Sequence, residues 1–156
     1  MEAKLIKPTQ QHVDYIAENM RAADVAEVWA SDRHTPDAAM ATSFDQSEYS
    51  ATATVDGVPC LMLGVGSRGP LTQIGIPWML GTDGVVKHRR SLTKLVGPVI
   101  DEMSRMYPNL LNYVHTKNTV SVKWLERIGF TVEPAQPHGL TGELFHRFER
   151  MTQCVQ

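Results

Sequence analysis

The sequence predicts one mixed α/β domain over residues 1–156, with a central mixed sheet of about six or seven strands and helices on both faces. Two patterns carry this prediction. Short apolar runs typical of strands alternate with longer stretches in which apolar residues recur at helical spacing. In addition, the β-rich runs 49–55 and 58–65 flank Asp56-Gly57, which is a strong hairpin signal.

The chain up to this hairpin is predicted to contain one strand and three helices. Residues 3–7 form the strand, and Thr9 is the expected N-cap of a helix whose apolar side comprises Val13, Ile16, Ala17 and Met20. The second helix covers residues 22–31, and its apolar side is expected to comprise Val25, Val28 and Trp29. The third runs from about residue 35 to 44, with Pro36 at its first position.

The chain after the hairpin is predicted to alternate strands and helices. Strands are expected at 74–80, 110–115, 130–133 and 142–150, with Pro77 indicating an edge or a bulge in the first of them. An amphipathic helix is expected at 90–107, where Pro98 should disturb it, and a second helix at 118–128, closed by Gly129.

Composition excludes several functional classes. The net charge of −2 argues against a general binder of nucleic acids or of membrane surfaces, and no apolar run reaches the ~20 residues of a membrane span. The N-terminus does not resemble a signal peptide, so a bacterial cytoplasmic location is expected. Cys60 and Cys154 are expected to be reduced thiols, and no metal site is expected.

The segment 110–130 resembles the last core strand and the following helix of GNAT N-acyltransferases. The family pattern N-x-x-A-x-x-hydrophobic-Y-x-x-hydrophobic-G-F is matched in spacing by Asn118, Ser121, Trp124, Ile128, Gly129 and Phe130. A narrower resemblance, in PWMLGTDGV, KHRRSLTKL and the segment 109–130, is to phage proteins of the internal virion protein A type. It implies a phage or prophage origin and a role around the virion, with virion proteins as partners.

The GNAT resemblance implies a cleft between two splayed strands, 74–80 and 110–115, that binds acyl-CoA, with acetyl-CoA as the expected cofactor and an amine as acceptor. The cofactor-binding residues that it implies lie after the first strand and at the start of the last helix, and comprise Leu80, Thr82, Asn118 and Ser121. A role as the N-cap of the helix also explains Asn118, and it is the simpler explanation.

A basic cluster marks the start of the helix at 90–107. Here the family has a glycine-rich loop that binds the CoA pyrophosphate, but Arg90 and Leu92 take the places of its glycines. Side-chain cations and hydroxyls can replace such a loop as an anion site, and the candidates are Lys87, His88, Arg89, Arg90 and Ser91. The alternative is a solvated charged surface.

Candidate catalytic groups lie on two elements, the strand 110–115 and the second helix. The family's proton-donating tyrosine is replaced by Leu125, so Tyr113 or His115 on the preceding strand would have to take its place. The alternative is that Tyr113 is a core residue and His115 an exposed strand end. Glu27 is the chosen general base among several carboxylates that are also explained as surface charges.

The sequence therefore predicts an acyl-CoA-dependent N-acyltransferase-like protein with an unknown amine acceptor. Two alternatives stay open. One is a catalytically silent protein of the same fold that acts by binding within the virion. The other is contact of the basic cluster with nucleic-acid phosphates, against which the near-neutral charge argues.

Overall fold

The computed structural model describes residues 1–152, so the prediction for Cys154 lies outside the described residues. Cys60 is a buried free thiol. The helices are α1 (Gln10–Glu18), α2 (Ala22–Asp32), α3 (Pro36–Gln46), α4 (Gly84–Lys87), α5 (Arg89–Met106) and α6 (Thr119–Arg127). The strands are β1 (Ala3–Ile6), β2 (Tyr49–Val55), β3 (Val58–Ser67), β4 (Ile74–Gly81), β5 (Asn109–His115), β6 (Thr131–Val132), β7 (Gln136–Pro137) and β8 (Leu144–Met151).

The strands form one mixed sheet in the order β1-β2-β3-β4-β5-β8-β6, with β7 paired to β8 on the side. The predicted fold class is confirmed. The hairpin turns at Asp56 and Gly57, whose φ angles of 50° and 79° are those of a type I′ turn. The sheet has one more strand than predicted, because two residues of the Pro/Gly-rich connection, Gln136 and Pro137, pair with β8.

Helices cover both faces of the sheet. On one face α1 and α3 bury Val13, Ile16 and Met40 against Met62 and Leu80. On the other face, α5 and α6 close the larger core, which includes Leu92, Ile100, Met103, Trp124 and Leu125. Buried apolar area of this kind contributes about 25 cal/mol per Å² to stability. The two cores hold the middle strands from both sides and so fix the position of the gap between them.

Helix α2 lies over the carboxyl ends of the middle strands and is turned differently from the prediction. Val25 and Trp29 are exposed, at 36% and 52%, whereas Asp24 is buried. The expected apolar side was therefore wrong for these two residues. Asp24 and Glu27 face the strand ends because backbone and side-chain donors there satisfy their carboxylates.

The parallel strands β4 and β5 separate after a short paired stretch. Ile74 pairs with Asn109 and Gly75 with Leu110, and no further register positions follow. Pro77 comes two residues after the last paired position, and a residue without an N–H fits where the strand has no partner. The splay that the sequence resemblance implied is therefore present, and Pro77 lies on the edge that it creates.

Candidate functional site

A cleft of about 170 Å³ passes between the splayed strands. Its wall on the α2 side includes Glu27, Ser31 and Asp32, and its opposite wall is apolar, with Ile100, Leu125, Phe130 and Phe148. A second cavity of about 260 Å³ adjoins it and shares with it Val28, Asp32, Ser43, Trp78 and Asn112. The cleft thus continues toward the outside below α2 and α3.

The edge of β4 presents backbone groups to this cleft. Thr82 N–H bonds to the Cys60 carbonyl on the β3 side, whereas Gly81 N–H faces away from β3 and bonds to Asp24. Because backbone groups alternate along an antiparallel pair, Met79 and Pro77 also face away from β3. Pro77 offers only its carbonyl, which accepts a 2.7 Å bond from Asn112 Nδ2. Met79 therefore turns its N–H and C=O into the cleft.

A buried polar cluster joins the carboxyl ends of β4 and β5; we call Arg21, Asp24, Asn118 and Ser121 the strand-end network. Arg21 Nη1 donates to Asp24 Oδ1 at 2.7 Å, to Asn118 Oδ1 at 3.0 Å and to Ser121 Oγ at 3.5 Å. Asp24 Oδ2 accepts Gly81 N–H at 2.9 Å, and the Gly81 carbonyl accepts Arg21 N–H at the same distance. Burial raises the pKa of Asp24, and the Arg21 charge opposes that shift. The network covers the last backbone groups of β4.

Glu27 lies next to this network, on the same side of α2 as Asp24. Its Oε1 accepts the His115 N–H at 2.8 Å and Asn118 Nδ2 at 3.3 Å, while the same Nδ2 donates to Asp24 at 3.1 Å. Burial raises the pKa of Glu27 to about 8, and the neighbouring Asp24 carboxylate adds to the shift. A carboxyl group with a pKa near neutral, at the wall of a cleft, is suited to exchange protons with a bound molecule.

The two candidate catalytic groups of β5, Tyr113 and His115, lie in different surroundings. Tyr113 lines the cleft, and its ring stacks on His138 with centroids 3.6 Å apart. Burial lowers the pKa of His138. His115 is only 2% exposed, so the interpretation of an exposed strand end was wrong. Its Nε2 lies 3.1 Å from Glu143 Oε1, and its buried Nδ1 has no partner among the described residues.

The predicted basic cluster lies where α4 meets α5. Lys87, Arg89 and Arg90 are exposed, and none of the ion pairs formed within residues 1–152 includes them. The first backbone bond of α5 runs from Leu92 N–H to the His88 carbonyl, so the N–H groups of residues 89–91 lie outside the helical ladder. These N–H donors, the helix dipole and three cations make this end a site suited to anions.

The remaining predicted residues are divided between the cleft and its rim. Leu80 and Ser121 line the cleft. Thr82 is buried, and its hydroxyl accepts Gly84 N–H, so its side chain serves the turn into α4. Asn118 occupies the N-cap position of α6 but makes no side-chain cap bond, because its amide is used by the strand-end network. The capping interpretation of Asn118 was therefore wrong.

Sequence reasoning did not find Arg21, Asp24 and Met79. Arg21 and Asp24 are far in sequence from Asn118 and Ser121, and an acid in the first turn of a helix is ordinary. The only available signal was their spacing of three residues, which places them on one side of the helix start. Met79 contributes through its backbone, and a backbone role leaves no residue-specific pattern.

Solved structures of acetyltransferases share this architecture. The YncA protein of Salmonella typhimurium, solved with acetyl-CoA, superposes with a TM-score of 0.73 at 13% identity, over 100% of this chain and 97% of its own. Spermidine N-acetyltransferase of Vibrio cholerae, in complex with CoA and spermine, gives 0.70 at 10% identity, over 96% and 95%. A GCN5-related N-acetyltransferase of Kribbella flavida gives 0.67 at 19%, over 96% and 97%.

The chain has the GNAT fold. This likeness confirms the fold implied by the resemblance of residues 110–130 to GNAT N-acyltransferases. At identities below 20% it is a likeness of fold. No protein-family model matches the sequence, and a search of curated proteins finds no significant relative.

Proposed function

We propose that the protein is an acyl-CoA-dependent N-acyltransferase with acetyl-CoA as donor and a small amine as acceptor. The observation that carries the proposal is Glu27, a carboxyl group with a pKa of about 8 on the wall of a cleft between splayed strands. The GNAT fold supports it, and neighbours of that fold are solved with acetyl-CoA or with CoA and spermine.

The start of α5 fits the phosphates of the donor. Arg89 and Arg90 are exposed beside the backbone N–H groups of residues 89–91, which have no backbone partner within residues 1–152. Lys87 adds a third cation two residues before Arg89. Charge-assisted hydrogen bonds of this kind are about twice as strong as neutral ones. The glycine-rich backbone loop of the family is replaced by side-chain charge. The donor would supply an activated acyl group when bound.

Glu27 fits the role of general base for the acceptor. A protonated amine loses its nucleophilic lone pair, so a base must remove a proton before or during attack. Glu27 Oε1 is held by His115 N–H and Asn118 Nδ2, which fix the carboxyl group at the cleft wall. The adjoining cavity, with Asp32 and Ser43 in both linings, gives the amine a route from solvent.

Met79 and Tyr113 fit the remaining roles. The Met79 N–H points into the cleft from a rigid strand, and a preorganised backbone donor can stabilise negative charge that develops on an acyl oxygen. Tyr113 lines the same cleft and carries a hydroxyl group that can return a proton to a leaving thiolate. Leu125, at the family's tyrosine position, is buried at 2% exposure and has no proton to give.

The test is a thiol-release assay with acetyl-CoA and a panel of amines, together with a thermal shift. Thiol release that depends on the amine, and a rise in Tm with acetyl-CoA, would support the proposal, since ligand at about 100 times its Kd adds about 2.7 kcal/mol of stability. No thiol release with any amine and no shift at millimolar acetyl-CoA would sink it.

A finer assignment concerns biological context. We propose a phage or prophage origin, with action in the bacterial host cytoplasm or in the virion and with virion proteins as partners. The support is the sequence resemblance of the segments 77–85, 87–95 and 109–130 to internal virion proteins. No helix within residues 1–152 is both long and apolar enough to cross a membrane. Failure to co-purify with virions from an induced host would contradict the virion location.

A further inference from the structure

The strand-end network lies on the route between the two halves of the proposed site. The basic start of α5 follows the carboxyl end of β4 by way of α4, and the cleft lies between β4 and β5. A molecule bound to the cations of α5 and reaching into the cleft must pass the ends of both strands. Arg21, from the connection between α1 and α2, bonds there to Gly81 on β4 and to Asn118 after β5.

The network also occupies the backbone groups that such a molecule would meet. Gly81 N–H is taken by the Asp24 carboxylate and Gly81 C=O by Arg21 N–H. Met20 adds an isolated antiparallel bridge to Thr82. The segment Met20–Arg21 therefore pairs with the end of β4 as a short extra strand would. Of the β4 groups that face away from β3, only those before Gly81 are left to the cleft.

We infer that the described structure is a closed state, in which Arg21 and Asp24 bar the donor's passage and must move away from Gly81 and Asn118 before the donor binds. This inference rests on the proposed function for the identity of the donor. It assigns to the connection between α1 and α2 the control of donor access.

The energetics allow such a movement. Arg21 and Asp24 have side chains that are 7% and 5% exposed, and a buried ion pair loses much of its attraction to desolvation. Opening would return both charges to water and free Asn118 and Ser121 for contact with the donor. If the donor binds only the open state, its apparent Kd equals its intrinsic Kd divided by the fraction of molecules that are open. A larger open fraction therefore gives tighter apparent binding.

The decisive experiment compares acetyl-CoA affinity, by calorimetry, in the wild type, Asp24→Asn and Glu102→Gln. Asp24→Asn keeps the shape of the side chain but weakens its hold on Arg21, so acetyl-CoA should bind roughly tenfold more tightly. Glu102→Gln is the matched control: it weakens an exposed pair of the same spacing, to Arg105 at 2.6 Å, and should leave the affinity unchanged.

Hydrogen exchange of the wild type gives a second measurement that needs no variant. Acetyl-CoA should increase exchange in a peptide covering residues 19–25, since Arg21 N–H would lose the Gly81 carbonyl, while peptides of α5 should become more protected. Equal or weaker affinity in folded Asp24→Asn, or protection of residues 19–25 on binding, would overturn the closed-state inference alone. If neither the wild type nor Asp24→Asn binds millimolar acetyl-CoA, the proposed function fails as well.

Discussion

Two ion pairs of this molecule have the same spacing along a helix and nearly the same length, and they differ in their surroundings. Arg21 and Asp24 lie 2.7 Å apart with side chains 7% and 5% exposed, whereas Arg105 and Glu102 lie 2.6 Å apart with side chains 67% and 44% exposed. The first pair is linked to Gly81 at the end of β4, to Asn118 after β5 and to Ser121 on α6. Within residues 1–152, the second pair has no hydrogen bond to a side chain outside α5. Burial converts an ordinary local pair into a connection between distant parts of the chain.

The contrast between buried and exposed charges shows which charged side chains a ligand can reach. Charges in the strand-end network are satisfied by one another, so a ligand gains from them only after they separate. The cations at the start of α5 are exposed and belong to none of the ion pairs within residues 1–152. The two regions should therefore respond differently to substitution, to pH and to salt.

The largest effect is expected at Glu27, which borders the buried pair. Glu27→Gln should lower kcat/KM for acyl transfer by about 10²–10⁴-fold, because glutamine cannot accept a proton. Steady-state thiol release measures it, with Glu126→Gln on the exposed side of α6 as a control that keeps full activity. An active Glu27→Gln enzyme would remove Glu27 from the chemistry.

The free energy of unfolding should distinguish the buried ion pair from the exposed one. Asp24→Ala should lower the free energy of unfolding by about 3–5 kcal/mol, because it leaves Arg21 buried without its partner. Glu102→Ala should cost less than about 1 kcal/mol, as is usual for exposed pairs. Urea unfolding of both variants measures the contrast. Equal costs would show that burial does not distinguish the pairs.

The pH dependence tests the raised pKa of Glu27. The pKa of Glu27 is raised to about 8, so its basic form increases with pH and kcat/KM should rise through pH 7 to a plateau above 8. The effect on stability has the opposite sign. In the folded state Glu27 keeps a proton that it releases near pH 4.5 in the unfolded state, so the free energy of unfolding should fall from about pH 5 to pH 8. Glu27→Gln should flatten both profiles, and unchanged profiles in that variant would contradict the assignment.

A smaller effect is expected at the exposed cations. Arg89→Ala combined with Arg90→Ala should weaken acetyl-CoA binding by roughly tenfold at low salt. The Tm should be nearly unchanged, because neither side chain has an ion-pair partner among residues 1–152. Calorimetry at low and high salt measures the loss and its decrease on screening. Arg105→Ala, which removes an exposed cation in the last turn of α5, at the opposite end from Arg89 and Arg90, is the control. Wild-type affinity in the double variant would leave the cluster as a solvated surface.

The fold was more predictable than the site. The Asp56-Gly57 hairpin, the Thr9 cap and the Gly129 helix end depend on residues close in sequence, and each lies where predicted. The residues of the basic cluster are also adjacent in sequence, so the cluster could be seen without the structure. The strand-end network joins residues 97 positions apart, between Arg21 and Asn118, and no local pattern encodes such a contact. The polar side of α2 was also missed. The sequence favours burial of Trp29, whereas the structure exposes it.

The splayed sheet has a consequence for the behaviour of the chain in a crowded solution. An unpaired strand edge is a template on which a strand of another molecule can add, and such addition leads to aggregation. On β4, Pro77 offers no donor and its carbonyl is covered by Asn112, while Gly81 is covered on both groups by Arg21 and Asp24. Between them, the backbone groups of Met79 that face the cleft have no partner among residues 1–152. An opening wide enough for a small ligand is thus too short for an incoming strand.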